Sequence, residues 1–225
     1  MSQPLRHLLI LSAKDLRLEL RGLQTTGLIV VLGVLIIVVL GMGLGGGRPV
    51  AGIEATAILW VAYLFGGVMC FDRTMAVERQ DDALAALLAA PIDRGVIFAS
   101  KLITNLILIT ALAAVITPIG VLLFRFDLSA HPLGFVAVMA LGVVGYAAIG
   151  TLFAAAVSSS SLQGGLLAVL IFPLSLPVII TSTQTMRTLF GPAGSLNESG
   201  IAILIAFDLV FLALSWLAFE LVLEP

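Results

Sequence analysis

Few side chains in this sequence can do chemistry, and they lie far apart. Asp208 falls inside the apolar run 201–221. A carboxylate near a bilayer centre costs about 2.5–3.5 kcal/mol on insertion scales, so it must face protein or water and find a partner. Two readings stay open for it: a substrate path or proton relay, and a buried carboxyl bonded to neighbouring Ser, Thr or Asn groups. Lys101 and Asn105 stand one helical turn apart and can form a polar stripe at the start of another apolar run, although a lysine there can also snorkel to the surface. His131, in the turn FDLSAHPLG, has a ring nitrogen of the kind that ligates haem iron, but a solitary turn histidine before proline is ordinarily just solvated. His7 is the other histidine, and the serine run 158–161 has no base near it in sequence.

Known reaction motifs are missing. The sequence has no GxxxxGK[ST] phosphate loop, so it is not expected to hydrolyse ATP by itself. It has no HExxH, no GxSxG and no closely spaced pair of carboxylates within an apolar run. The single cysteine, Cys70, excludes an intrachain disulfide, a cysteine zinc site and a CxxCH haem attachment. An enzyme is therefore the weaker expectation.

Composition says what must position these residues. The chain is 60% hydrophobic and 11% charged, with a mean hydropathy of +1.20, whereas soluble domains carry roughly 25% charged residues. This predicts an all-α integral membrane protein built as one membrane domain over 1–225. A net charge of −2 gives no sign of nucleic-acid binding. No cleavable leader is expected, because Lys14, Asp15, Arg17, Glu19 and Arg21 interrupt the N-terminal segment.

Six apolar stretches are long enough to span, at about 23–44, 52–75, 96–124, 133–157, 162–182 and 201–221. Pro118 predicts a tilted or kinked third span, and Pro173 and Pro177 interrupt the backbone ladder of the fifth. The segment 183–200 reads as too polar to cross. Residues 1–22 precede the first span. On a helix, Leu5, Leu9, Leu16, Leu20 and Leu23 fall within an arc of about 60°, with Lys14, Arg17 and Arg21 on one flank. DLRLELR also alternates as a strand would, but a strand would have no sheet to join. An interfacial helix with its basic side toward lipid headgroups is expected.

The densest interior charge lies in FDRTMAVERQDDALAALLAAPIDRGVIFASK, residues 71–101. Leu84, Leu87 and Leu88 fall at i, i+3 and i+4, with Val77 one heptad earlier. Asp81 or Asp82 can cap such a helix, and Pro91 ends it. A short amphipathic helix at about 77–90, between two spans, competes here with an ordinary solvated loop. With six spans both termini share a side. Eight basic residues (Arg6, Lys14, Arg17, Arg21, Arg73, Arg79, Arg94, Lys101) fall on that side and three (Arg48, Arg125, Arg187) on the other. The positive-inside rule makes the first side cytoplasmic, giving a multi-pass inner-membrane protein with cytoplasmic ends.

Four features together resemble the CcmB family, heme exporter protein B of cytochrome c maturation. They are the basic amphipathic N-terminus, AILWVAYLF leading into FDRTMAVERQDDALAALLAAPIDR, the KLITN start of the third span, and LQGGLLAVLIFPLSLPVIITSTQ. The similarity covers nearly the whole length. This chain has Asp82-Ala83-Leu84 where members commonly carry an acidic residue followed by Gly-x-Leu.

The resemblance implies a permease of the ABC-2, type V exporter kind. Such subunits pair as homodimers and offer a cytoplasmic coupling helix to a separate ATP-binding cassette subunit. Glu78, Asp81 and Asp82 would be that helix's polar face, Leu84, Leu87 and Leu88 its anchors, and Pro91 its stop. It further implies a haem-handling permease with a tryptophan-rich motif, a small single-span subunit and a haem chaperone as partners. Haem and ATP would then be bound by those partners; this chain has only Trp60 and Trp216. ATP hydrolysis would drive release of the haem-loaded chaperone. Two other readings stay open: a generic ABC-2 permease exporting a lipid, glycan or drug, and a secondary transporter using Asp208.

Overall fold

The computed structural model describes residues 3–45, 52–79, 92–124, 127–158, 163–191 and 194–222. Among them are seven α-helices: α1 (Gln3–Arg21), α2 (Leu23–Gly45), α3 (Gly52–Arg79), α4 (Arg94–Phe124), α5 (Pro132–Ala156), α6 (Gln163–Leu189) and α7 (Glu198–Val222). A single 3₁₀ turn, Leu128–Ala130, precedes α5, with Asp127 accepting from the Ser129 amide. The last six helices are each long and apolar enough to cross a membrane. The strand alternative for DLRLELR does not occur, because α1 stays helical through Arg21.

Two helices form the interior. The apolar windows of α3 and α5 are 72% and 67% buried, against 17–28% for the other four, so α2, α4, α6 and α7 enclose them. Lipid supplies no hydrophobic drive between helices, so close packing and hydrogen bonds must hold them together. Aromatic rings set into glycine notches do this. A Cβ at Gly150 of α5 would lie 2.0 Å from the Phe71 ring of α3, so only glycine lets that ring sit there. Tyr146 of α5 donates its hydroxyl to the Leu64 carbonyl (2.6 Å) and meets Phe71 edge-on at 5.1 Å.

Three boundaries differ from the sequence reading. α3 runs past 75 to Arg79 and so takes in Glu78. α6 runs past 182 to Leu189: Met186 and Leu189 are buried, and the Thr185 and Thr188 hydroxyls bond back to carbonyls of their own helix. Those bonds internalise the polarity that made 183–189 look unable to continue the helix. α7 accordingly starts at Glu198 rather than 201. Pro118 lies inside a continuous α4, and Pro173 and Pro177 inside a continuous α6. The Thr117 hydroxyl donates to the Ala113 carbonyl at 2.6 Å beside the first proline, and that of Ser175 to Ile171 at 2.8 Å between the other two.

Candidate functional site: a buried charge cluster joining three helices

α1 packs chiefly along the start of α4. Its inward face is Ser12, Asp15 and Glu19, all buried at a spacing of three and four residues. The leucines gathered on the sequence wheel lie mostly outward, with Leu5, Leu9 and Leu20 exposed, as is Arg17. The helix thus segregates its charge, turning its acids to the protein and an apolar and basic surface outward. Of the expected basic flank Arg17 is exposed, but Lys14 bends back to the protein, where it meets Asp15 at 3.2 Å and hydrogen-bonds Glu78.

Lys101 occupies the centre. Only 2% exposed on the second turn of α4, its ammonium donates to Glu78 Oε1 of α3 at 2.6 Å and to the Thr74 carbonyl at 3.4 Å. It also lies 2.9 Å from Asp15 Oδ2 of α1. One cation therefore binds three helices. Ser12 donates to the Ser100 carbonyl beside it (3.3 Å). A second pair closes the α1–α2 corner: Arg73 Nε lies 3.0 Å from Glu19 Oε2, and its guanidinium donates to the Gly22 carbonyl (3.1 Å) and Thr26 Oγ1 (3.3 Å). A Cβ at Gly22 would sit 1.8 Å from Arg73 Nη2, so any larger residue there would displace the guanidinium from this position.

The charges balance: Lys14, Arg73 and Lys101 against Asp15, Glu19 and Glu78. Burial opposes ionisation of Glu78, yet Lys101 and then Lys14 outweigh it and hold the carboxyl below its usual range. Burial likewise disfavours the Lys14 ammonium, but its hydrogen bond to Glu78 and the charge of Asp15 raise it. For Glu19 burial prevails over the attraction of Arg73, and its carboxyl is raised. A neutral chain continues the cluster inward. Thr74 Oγ1 donates to Asn105 Oδ1 (3.0 Å), and Asn105 Nδ2 donates to Thr151 Oγ1 (2.9 Å), which brings in α5.

The structure thus unites three residues singled out from sequence. Lys101 and Asn105 are both buried one turn apart on α4, with Lys101 held inside by its ion pairs. Glu78, expected on the polar face of a coupling helix, sits on the last turn of α3 and is 1% exposed. Asp81, Asp82, Leu84, Leu87, Leu88 and Pro91 lie outside the described residues. Asp208 stands apart from the cluster. It is buried on α7 against Gly145 of α5, and its Oδ1 has no hydrogen-bond partner among the described residues.

His131 stands at the N-cap position of α5 without a side-chain cap bond, its ring 6.0 Å from that of Phe190, and among the described residues no three His, Cys, Asp or Glu side chains converge as metal ligands. Sequence reasoning passed over Asp15, Glu19, Arg73, Thr74 and Thr151. One signal was available: the i, i+4 pair Asp15 and Glu19 lies off the basic flank of α1.

The CcmB protein family model matches residues 6–224. Heme exporter protein B of Paracoccus denitrificans is 29% identical over 203 residues, covering 90% of this chain and 91% of the relative. Heme exporter protein B of Rhodobacter capsulatus is 26% identical over 205 residues, covering 91% and 92%. Near-complete coverage at both levels leaves no large part of either chain unmatched. With six span-length helices and this match, the chain is a multi-pass membrane protein of the CcmB family, the permease component of a transporter.

Proposed function

We propose that this chain is the non-catalytic membrane subunit of an ABC complex in c-type cytochrome maturation. In this reading it couples ATP hydrolysis on a separate cassette subunit to the handling of haem and the release of a haem-loaded chaperone. Two near-full-length relatives named heme exporter protein B support the haem assignment. The observation that carries the coupling is the charge cluster at the end of α3 and start of α4, flanking the segment that would meet the ATPase. A loop that takes force needs a stiff base, and a buried, charge-balanced junction of three helices provides one.

The basic excess on the cluster's side supports a cytoplasmic position for it and for both termini. Asp81 and Asp82 then offer the polar side of the coupling segment, Leu84, Leu87 and Leu88 its anchors, and Pro91 its stop; Glu78 roots the segment in the cluster. A homodimer, a haem-handling permease, a small single-span subunit and the chaperone complete the complex. The test is ATP-dependent release of haem-loaded chaperone from native membranes. It should require both this chain and the cassette subunit, and release without either would refute the proposal.

One observation favours a second reading. Between α4 and α5 lies an apolar groove of about 760 Å³ lined by Leu106, Ala113, Pro118, Phe135, Met139 and Val143 among others. A generic ABC-2 permease moving a lipid or other apolar molecule would use such a groove. Leu106→Trp and Met139→Trp should leave chaperone release intact under the first reading and abolish transport under the second.

A further inference from the structure

We infer that Asp15, Glu78 and Lys101 are positioning residues that make α1 move with the α3–α4 base, so that the N-terminal helix belongs to the force path. This deepens the coupling reading and rests on it. Lys101 offers three N–H donors and faces three partners: the Glu78 carboxylate, the Thr74 carbonyl and Asp15 of α1. Asp15 and Glu78 come from helices far apart in sequence, and without the ammonium between them two carboxylates would face one another in a nearly dry site. Lys14 touches the same two carboxylates but is about two-fifths exposed, so water weakens its hold and it offsets their repulsion only in part. The cluster is thus a lock whose release repels α1 from α3.

The lock lies where a displaced coupling segment would first pull. Glu78 is on the last turn of α3 and Lys101 on the second turn of α4, so both ends of the intervening segment converge on one ion cluster. Displacement of that base carries Asp15, and with it α1, through charge contacts in a medium that screens them weakly. The Arg73–Glu19 pair adds a second tie to α3 one turn further along α1, so the C-terminal half of α1 is held at adjacent turns.

The experiment uses the assembled complex in lipid nanodiscs with three readouts: amide hydrogen exchange of residues 3–21, ATPase subunit retained, and ATP-driven release of haem-loaded chaperone. Lys101→Met should raise exchange across α1 and cut release about tenfold, within the usual range of coupling between sites, while the ATPase stays bound. Lys101→Arg should keep most of both functions. The pair Glu78→Gln with Lys101→Met removes the repulsion; α1 should regain protection, yet release should stay low because the ionic tether is gone. If Lys101→Met misfolds, that pair and Lys101→Arg still decide the question.

Unchanged exchange and release in Lys101→Met would overturn the inference. So would raised exchange with full release, or full release in the neutral pair. Failure of the wild-type complex to retain any ATPase would instead sink the coupling reading, leaving the anchoring of α1 to be judged by exchange alone.

Discussion

At the scale of single residues, the buried charges of the cluster join helices. Breaking one partner out of a buried ion pair typically costs about 3–5 kcal/mol, because the remaining charge is left uncompensated. Lys101→Met should fall in that range in detergent unfolding, and more mildly when Glu78→Gln is added. Gly22 gives a second prediction. Gly22→Ala must push Arg73 off the Gly22 carbonyl and away from Glu19, so it should destabilise the wild type clearly but an Arg73→Ala background little. A double-mutant cycle measures this directly; equal costs in both backgrounds would contradict the packing described.

The cluster also predicts a pH response. The folded-state carboxyl of Glu78 is depressed, so its stabilisation is fully present above the ordinary carboxylate range and is lost as pH falls through its lowered value. Glu19, whose carboxyl is raised, contributes with the opposite sign and does not weaken in acid. Protection of α1 from amide exchange, corrected for intrinsic rates, should therefore be flat across neutral pH and drop only in acid. Glu78→Gln should remove that drop.

Elements show which parts of the sequence could be read alone. The six spans were legible because an unbroken apolar run of that length has few other uses, and the leucine spacing of residues 5–20 correctly implied a helix. The direction that helix faces was not legible. An apolar stripe ordinarily marks the buried side, but here Leu5, Leu9 and Leu20 lie outward because the inward side is defined by ion pairs with residues more than fifty positions away. Lys101 was visible as an anomaly, while its partner Asp15 offered only its place off the basic flank of α1, which a solvated charge shares.

The ends of α3 and α6 were misjudged for a related reason. Glu78, Thr185 and Thr188 look like boundary residues until their bonds within the protein are known. A prediction belongs at this scale. Gly150→Ala drives a methyl into the Phe71 ring between the two interior helices, and overpacking of that kind typically costs about 1–3 kcal/mol. Phe71→Leu should recover part of the loss in the same unfolding measurement.

Taken whole, the molecule has a buried α3–α5 centre, four enclosing spans, and an α1 whose C-terminal half is tied to the helix ends that flank residues 80–93. In the coupling proposed above, work from a separate ATPase subunit would enter at the charge cluster. Asp208 supplies the contrast. A secondary transporter using it as an ion site should lose coupling in Asp208→Asn, whereas a permease driven at the α3–α4 base should keep chaperone release.

The most direct test is a photo-crosslinking residue placed at 84 or 87 in native membranes, with every adduct identified. The account predicts a nucleotide-sensitive adduct with a cytoplasmic ATPase subunit, lost when Leu84 and Leu88 are both replaced by Asp in the chain labelled at 87. Labelling from the periplasmic side, or adducts with lipid alone, would contradict it.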